Sequence, residues 1–480
     1  MKAYKYIILL IATISILGCD DEINDLEPFT EGNPDTFFNS LQSFQNGLDG
    51  MYSQFFEYYS DESGYQGIPD ILSDNVILAT TGRRSNETIY DWKYVPTTQG
   101  AVALFWSSAY EAVSASNLVI SQIDNLPEGE ERDNILGQAL AGRAIAHFDL
   151  VRLYAQIPTQ DSNASKSLGI VYMKVEDGDV DDPFANPSRE TVESNYQEII
   201  GDLERAVELI GDDNGEGRLD KDAINGILSR VYLYNGEYGK VVEVADKVNK
   251  SIASADELSD VYQDVTNAGI LIEWSVNTSS ESNFNNVGVI YSQTTPPNTR
   301  SEYVGDFEFV NSISENDVRK NILTYVGTIS GNNYNAIGKF LGEPGQVNGR
   351  VDTKVLRVAE VILNKAEAQY RLGQEADALV TLNALRDARL SSYTGGEIGS
   401  ALLEEILRQR RIELAFEGHR FFDLKRLGLP VERSNNGDII DGTGTPPEKL
   451  SLPANNFRFQ FPIPQDEINA NPNMEQNPDY

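Results

Sequence analysis

The chain has 480 residues, of which 40% are hydrophobic and 9% aromatic, and this apolar content excludes a mainly disordered protein. It carries 38 Lys and Arg against 74 Asp and Glu, and the resulting net charge of −36 disfavours binding to nucleic acids or to anionic lipid through a basic patch. The single cysteine, Cys19, excludes an intramolecular disulfide and a cysteine-based zinc site.

The first element in the chain is a leader segment. The apolar run 6–17 follows two lysines and is too short to cross a bilayer as a helix. Gly18-Cys19 at its end resembles a bacterial lipobox, and an ordinary secretory signal with a chance cysteine is the alternative. We therefore expect residues 1–18 to be a lipoprotein signal peptide, Cys19 to be the lipidation site and residues 19–34 to be an acylated tether.

After the tether, apolar residues recur at spacings of three and four, which predicts a single, mainly α-helical domain over residues 35–480. The helical scaffold is expected mainly in 35–60, 101–250 and 350–430. Two loop-rich insertions, about 61–100 and 251–349, interrupt it, and the second contains β-like runs at 269–276 and 287–291. The predicted helices cover 35–59, 101–123, 134–156, 191–210, 221–234, 238–250, 355–372, 374–389 and 401–416, and Ser188 is the expected N-cap of the fourth.

Two pairs of these helices follow the tetratricopeptide pattern. Tyr232 precedes Gly236 and Tyr370 precedes Gly373, and small or apolar residues recur in the helix that follows each glycine. Each match alone also fits a generic helical hairpin. Together with a third helix pair in 101–156, they predict a tetratricopeptide-like repeat scaffold.

The residues that could form catalytic or metal sites are better explained as structural residues. His147 and His419 are expected to be buried structural residues, because no Gly-x-Ser-x-Gly elbow accompanies them. The loop 212–217 begins like a calcium loop, but Ala223 stands where the bidentate Glu belongs, so we expect a solvated turn. The acidic loop 176–182 gives no more specific indication of a calcium site. No metal and no cofactor is expected.

Several motifs resemble the SusD/RagB-type lipoprotein family. They are ALAGRAIAHFDLVRLY at 139–154, RIELAFEGHRFFDLKR at 411–426, and the closing segments FPIPQDEIN at 461–469 and QNPDY at 476–480. Further matches lie at 186–209, 218–234 and 358–389, so the resemblance covers nearly the whole chain.

This resemblance implies a nutrient-binding lipoprotein, anchored by lipid to the outer membrane of a Bacteroidetes-type bacterium and facing the cell exterior. It implies a TonB-dependent SusC-like transporter as partner and an oligosaccharide as usual cargo. Asp20-Asp21-Glu22 resembles the family's surface-export signal. We therefore expect a glycan-binding protein that delivers oligosaccharides to the transporter and is not an enzyme. A RagB-like peptide-binding protein and a surface hydrolase are the alternatives.

A non-catalytic glycan site needs aromatic faces together with a few polar groups, carried on loops. In an extended loop, the alternating Tyr90, Trp92 and Tyr94 would share one face. Stacking on a ligand and packing beneath the loop are both open for Trp92, whereas the apolar run around Trp274 favours the core. The net charge favours a neutral glycan, although paired arginines could bind uronate carboxylates. The candidate ligand-binding residues are Arg83, Arg84, Asn86, Tyr90, Trp92, Tyr94, Trp274, Tyr291 and Tyr303.

Overall fold

The computed structural model describes residues 34–61, 63–175, 186–275, 286–291, 301–342 and 351–480. Cys19, the leader, most of the tether and the acidic loop 176–182 lie outside the described residues, so the predictions made for them stay predictions. The division into one domain after the tether also stays a prediction. Among the described residues, no helix combines the length and the apolarity needed to cross a membrane.

The fold is mainly α-helical with short strands, as predicted. The helices are α1 Pro34–Phe37, α2 Leu41–Ser60, α3 Ile68–Ile71, α4 Glu87–Tyr90, α5 Ala101–Ser121, α6 Glu130–Tyr154, α7 Val192–Leu209, α8 Lys221–Asn235, α9 Tyr238–Ala245, α10 Leu258–Val261, α11 Val287–Tyr291, α12 Phe307–Asn311, α13 Lys320–Leu323, α14 Val358–Arg371, α15 Glu375–Asp387, α16 Ser400–Glu413, α17 Arg420–Arg426 and α18 Gln465–Ala470. The strands are β1 Val76–Leu78, β2 Ile270–Trp274, β3 Tyr303–Gly305, β4 Thr324–Ile329, β5 Asn332–Ile337, β6 Thr353–Arg357, β7 Val431–Glu432 and β8 Ser451–Leu452.

The first predicted helix is divided in two. Ser40 caps α2 by accepting a hydrogen bond from the Ser43 backbone N–H, and the Ser43 hydroxyl accepts one from the Ser40 N–H, so the helix restarts there. The buried face of α2 packs against α5 and α6. A Cβ on Gly142 of α6 would lie 2.3 Å from the sulfur of Met51, so glycine permits this close approach.

The two predicted helical hairpins are present. Gly236 ends α8 with φ +80°, and Gly373 lies between α14 and α15 with φ +77°. Both glycines adopt the left-handed conformation that reverses the chain after a helix. The hairpins α8–α9 and α14–α15 pack side by side, which continues the antiparallel helix stack formed by α5, α6 and α7. The loop-rich insertions connect helices of this stack.

Three details of the predicted elements were wrong. Thr191, rather than Ser188, caps α7, because its hydroxyl accepts the Ser194 N–H. Residues 287–291 form the short helix α11, since a short apolar run does not by itself distinguish strand from helix. Helix α14 begins at Val358 because the preceding residues pair with β2 as strand β6.

The strands form four antiparallel pairs within the described residues: β1 with β3, β2 with β6, β4 with β5, and β7 with β8. Strand β2 confirms the predicted β-like run at 269–276. The β4–β5 hairpin turns through Ser330 (φ +52°) and Gly331 (φ +85°), the left-handed pair that suits a two-residue hairpin loop. The β1–β3 pair joins the two insertions to each other, and the β2–β6 pair joins the second insertion to the strand that precedes α14.

Candidate ligand-binding site

The predicted polar and aromatic residues of the first insertion lie in one segment, 80–94, which we call the site loop. It leaves strand β1, whose Leu78 pairs with Tyr303 of β3. The Ala79 N–H donates to the Glu302 carbonyl oxygen at 2.8 Å, which extends the pairing by one step. The structure thereby brings the site loop and Tyr303 together, although more than two hundred residues separate them in sequence.

Glu302 organises the site loop from beneath. Its side chain is fully buried, and its carboxylate accepts a hydrogen bond from Arg83 Nε at 2.7 Å and one from the Ser85 backbone N–H at 2.7 Å. The Tyr303 hydroxyl donates to the Ser85 carbonyl oxygen at 2.6 Å. A Cβ on Gly82 would lie 2.6 Å from Glu302 Cα, so the loop backbone rests directly on this strand. These contacts attach the loop to strand β3 and the residue before it.

Two arginine side chains of the site loop reach the surface. Arg83 is 40% exposed and Arg84 is 44% exposed. Arg84 pairs with Glu87 through two hydrogen bonds, of 3.0 Å and 2.5 Å. These bonds lower the pKa of the Glu87 carboxyl and raise that of Arg84, so both groups are charged at neutral pH. The pair presents guanidinium and carboxylate side by side to solvent.

The backbone of the site loop contains left-handed residues other than glycine. Arg84 has φ +62°, Asn86 has φ +59° and Trp92 has φ +53°. Asn tolerates this conformation, but Arg and Trp adopt it at a cost of about 1–3 kcal/mol each. Such strain persists where the surrounding structure fixes it, and it is found preferentially at ligand sites. This observation favours a binding role for the loop.

The aromatic residues of this loop do not share one face, because the extended backbone that would have aligned them is absent. Tyr90, Trp92 and Tyr94 are 2%, 4% and 3% exposed, because the chain forms helix α4 up to Tyr90 and then turns at Trp92 instead of running extended. The Trp92 indole N–H donates to the Leu72 carbonyl oxygen at 3.0 Å. The guanidinium carbon of Arg433 lies 3.7 Å from the Tyr90 ring centre and 4.0 Å from that of Trp92. Trp92 therefore packs beneath the loop.

The aromatic candidates from the second insertion are also buried. Trp274 is 2% exposed and stacks on Phe55 with ring centres 4.7 Å apart, which places it in the core as the sequence favoured. Tyr291 is fully buried and stacks on Phe340 at 5.4 Å. Tyr303 is buried as well and serves as a support for the site loop. The structure thus brings Tyr303, but not Trp274, to the loop.

Three residues of this region were missed by the sequence analysis. Glu302 and Arg433 act through contacts with residues more than two hundred positions away, so no local pattern could reveal them. Glu87 stands three residues after Arg84 on the same turn, a spacing typical of ion pairs, and that signal was available in the sequence.

Both histidines have structural surroundings. His147 is buried, its Nδ1 lies 2.9 Å from the Arg143 carbonyl oxygen, and its Nε2 accepts the Met173 N–H at 3.0 Å. Burial lowers the pKa of His147 to about 3. His419 is buried too, and burial lowers its pKa well below the usual value. Both rings are neutral at physiological pH.

The loop 212–217 resembles the expected turn rather than a calcium loop. Asn214 Nδ2 donates to the Leu219 carbonyl oxygen at 2.7 Å and to Asn134 Oδ1 at 3.0 Å, so its amide closes the turn. Across the described part of the chain, no three His, Cys, Asp or Glu side chains converge as a metal site.

Comparisons with known proteins find SusD-type matches in both the N-terminal and the C-terminal part of the chain. Residues 341–480 match the model of the SusD family, and residues 29–233 match a model described as "Starch-binding associating with outer membrane". SusD-like protein P2 of Formosa agariphila is 26% identical, with 100% of both chains covered. The starch-binding protein SusD of Bacteroides thetaiotaomicron is 31% identical over 129 residues, which cover 27% of this chain and 22% of that protein.

A solved structure has the same fold. The crystal structure of a SusD superfamily protein from Bacteroides thetaiotaomicron superposes with a TM-score of 0.80 at 26% identity, covering 92% of this chain and 100% of that one. The two family models, the full-length relative and the shared fold lead to one conclusion: the chain belongs to the SusD family.

Proposed function

We propose that this protein is a cell-surface lipoprotein that binds oligosaccharides and delivers them to a TonB-dependent SusC-like transporter. Membership of the SusD family is the observation that carries this proposal, and one matching family model describes starch binding and association with the outer membrane. Acylation of Cys19 would anchor the protein on the outer face of that membrane. A chain held by lipid alone cannot move cargo across a membrane, so it needs a transporter as partner.

The site loop is the proposed binding surface. It combines exposed guanidinium and carboxylate groups with a backbone fixed by Glu302 and Tyr303, on a helical scaffold. A loop that is ordered before binding loses little conformational entropy when a flexible sugar arrives. The exposed polar groups offer hydrogen-bond donors and acceptors to sugar hydroxyls. The buried tyrosines and tryptophan contribute by holding the loop in place.

Affinity electrophoresis and calorimetry with soluble glycans and a peptide mixture would test the proposal. We expect at least one glycan to bind, and Arg84→Ala to weaken that binding at least about tenfold, or about 1.4 kcal/mol, without changing the melting temperature. Arg408→Ala is the matched control, because Arg408 is also 44% exposed and pairs with a glutamate three residues away. Its glycan affinity should equal that of the wild type.

The same panel separates the alternatives. Binding of peptides without binding of any glycan would replace the oligosaccharide by a peptide cargo. Release of reducing ends from a bound glycan would identify a hydrolase instead. Equal weakening by Arg84→Ala and Arg408→Ala would remove the site loop from the binding surface.

A further inference from the structure

Every cation of the site loop has a carboxylate partner. Arg83 contacts the buried Glu302 at 2.6 Å, and Arg84 pairs with Glu87 at 2.5 Å. Lys93 lies 2.7 Å from the Asp91 carboxylate and 3.4 Å from that of Glu448. The loop therefore offers no guanidinium or ammonium group whose charge is left uncompensated.

This pairing decides which glycan chemistry the loop can recognise. A sulfate or uronate group binds most tightly to a guanidinium whose positive charge is not already compensated by a carboxylate. Here the Nε and one Nη of Arg84 already bind both oxygens of Glu87. An anionic sugar would have to displace a carboxylate or approach it closely, and like charges repel.

The carboxylate partner of Arg83 is fixed. Glu302 has no exposed side-chain surface, and it also accepts the Ser85 backbone N–H, so it cannot swing away from Arg83. Arg84 has a left-handed backbone, φ +62°, and stands between Arg83 and Ser85, which are both bound to Glu302. The net charge of −36 over the whole chain adds a long-range repulsion of polyanions.

An exposed guanidinium–carboxylate pair suits a different ligand group. Its remaining N–H groups donate hydrogen bonds, and its carboxylate oxygens accept them, within one plane. Each of two neighbouring hydroxyls of a sugar ring can donate one hydrogen bond to a carboxylate oxygen and accept one from an N–H group. The Arg84–Glu87 pair is 44% and 40% exposed, so both partners can reach such a diol.

Resting on the proposed function, we infer that the site takes uncharged oligosaccharides and that Glu87 is a ligand-binding residue. Glu87 and Arg84 together bind a pair of adjacent hydroxyls, and Arg83 adds a donor whose position Glu302 sets. Glu87→Gln is the informative change, because it keeps the size of the side chain and removes the charge that compensates Arg84.

The test uses the full chain with two sets of probes: neutral soluble starch, maltohexaose and β-glucan oligosaccharides, and anionic polygalacturonate and dextran sulfate. We expect the wild type to bind a neutral probe, with an affinity that changes less than about twofold between about 50 and 500 mM salt, and to bind neither anion. Glu87→Gln should lose at least about tenfold in neutral affinity and should gain affinity for the polyanions at low salt. Glu243→Gln, which removes the same charge from an exposed helical ion pair, should match the wild type.

The outcomes are distinguishable. Tighter binding of an anionic probe by the wild type would overturn the inference while leaving glycan binding intact. Unchanged neutral affinity in Glu87→Gln would remove Glu87 from the site. Failure to bind any glycan would overturn the proposed function itself. Because Glu87 is a partly exposed residue of a four-residue helix, its variant should fold, and the salt series on the wild type tests the charge argument independently.

Discussion

Asp70 is a fully buried carboxylate bound by the backbone of a distant turn. It accepts the Gly418 N–H at 2.7 Å, the Phe416 N–H at 3.3 Å and the Asn75 amide at 3.4 Å. Phe416 and Gly418 have φ +66° and +76°, a conformation that lets backbone N–H groups converge on an anion. Burial raises the pKa of Asp70 to about 7, although these hydrogen bonds oppose the increase.

This raised pKa makes a prediction about stability. In the unfolded chain Asp70 loses its proton near 3.8, the ordinary pKa of an aspartate, whereas the folded protein keeps it until about pH 7. The folded state therefore binds more protons in this window, so Asp70 makes the free energy of unfolding decrease as the pH rises from about 4 to 7. Relative to Asp70→Asn, the free energy of unfolding of the wild type should fall by a few kcal/mol across this window, since each unit of pKa difference corresponds to about 1.4 kcal/mol. Urea denaturation at several pH values measures the difference.

Asp377→Asn is the control for this experiment, since Asp377 is an exposed residue of α15. It should follow the wild-type curve. Parallel pH profiles of the wild type and Asp70→Asn would show that Asp70 does not titrate between pH 4 and 7 in the folded protein.

The burial of a single side chain could be predicted only where the local sequence pattern determines it. Trp274 lies in an apolar run and is buried as expected. Trp92 stands in a polar loop, and its burial depends on Leu72 and Arg433. Arg433 is more than three hundred residues away, so the sequence left both interpretations of Trp92 open.

At the scale of elements, three arginines of the C-terminal half hold the segment 68–75 that precedes the site loop. Arg433 donates to the carbonyl oxygens of Ile71 and Ser73 at 3.0 Å and 2.9 Å. Arg411 donates to the Asp74 carbonyl oxygen, and Arg420 binds both oxygens of the Asp74 carboxylate. The first insertion is therefore bound to the C-terminal half through three backbone carbonyl oxygens and the Asp74 carboxylate.

Arg433→Lys should loosen this attachment. Lysine keeps the charge but lacks the planar group that lies between Tyr90 and Trp92 and donates in two directions. We expect the free energy of unfolding to fall by about 2 kcal/mol or more, from lost hydrogen bonds and ring contacts. Compared with the wild type, hydrogen exchange should accelerate more at amides of the site loop than at amides of α6.

Arg408→Lys, at an exposed position of α16, is the matched control and should change neither measurement. Faster exchange throughout the molecule, without a preference for the site loop, would mean that Arg433 supports the fold generally and not this loop.

Elements with a strong local period were predictable, and those made by distant partners were not. Helices α5, α7 and α8 begin and end close to their predicted bounds, because their apolar stripes are local, as are the side-chain caps Thr191 of α7 and Asp220 of α8. Strands β1 and β3 are three residues each and exist through pairing with each other, across more than two hundred residues. The site loop owes its shape to that pairing, so the sequence indicated its composition and not its conformation.

At the scale of the whole molecule, one buried carboxylate joins several parts of the chain. Glu413 at the end of α16 lies 3.1 Å from Arg319, 2.8 Å from Arg357 and 3.0 Å from Arg389. These arginines precede α13, end β6 and follow α15, so the second insertion and a helical hairpin meet at Glu413. Burial alone would raise the pKa of Glu413, but Arg389, Arg357 and Arg319 hold it well below its usual value.

Removing this charge should destabilise the whole fold. Glu413→Gln leaves three buried guanidinium groups without their shared anion, and breaking a buried ion pair from one side costs about 3–5 kcal/mol. Because the folded pKa is lowered, the contribution of Glu413 is complete above its unfolded pKa, about 4.5, and is lost as the pH falls below it. The variant should therefore be less stable than the wild type at pH 7. The difference between their free energies of unfolding should become smaller towards pH 3. Glu404→Gln on the exposed side of the same helix is the control, and urea denaturation should show no shift for it. A gap of the same size at pH 7 and pH 3 would mean that packing, rather than the charge of Glu413, joins these elements.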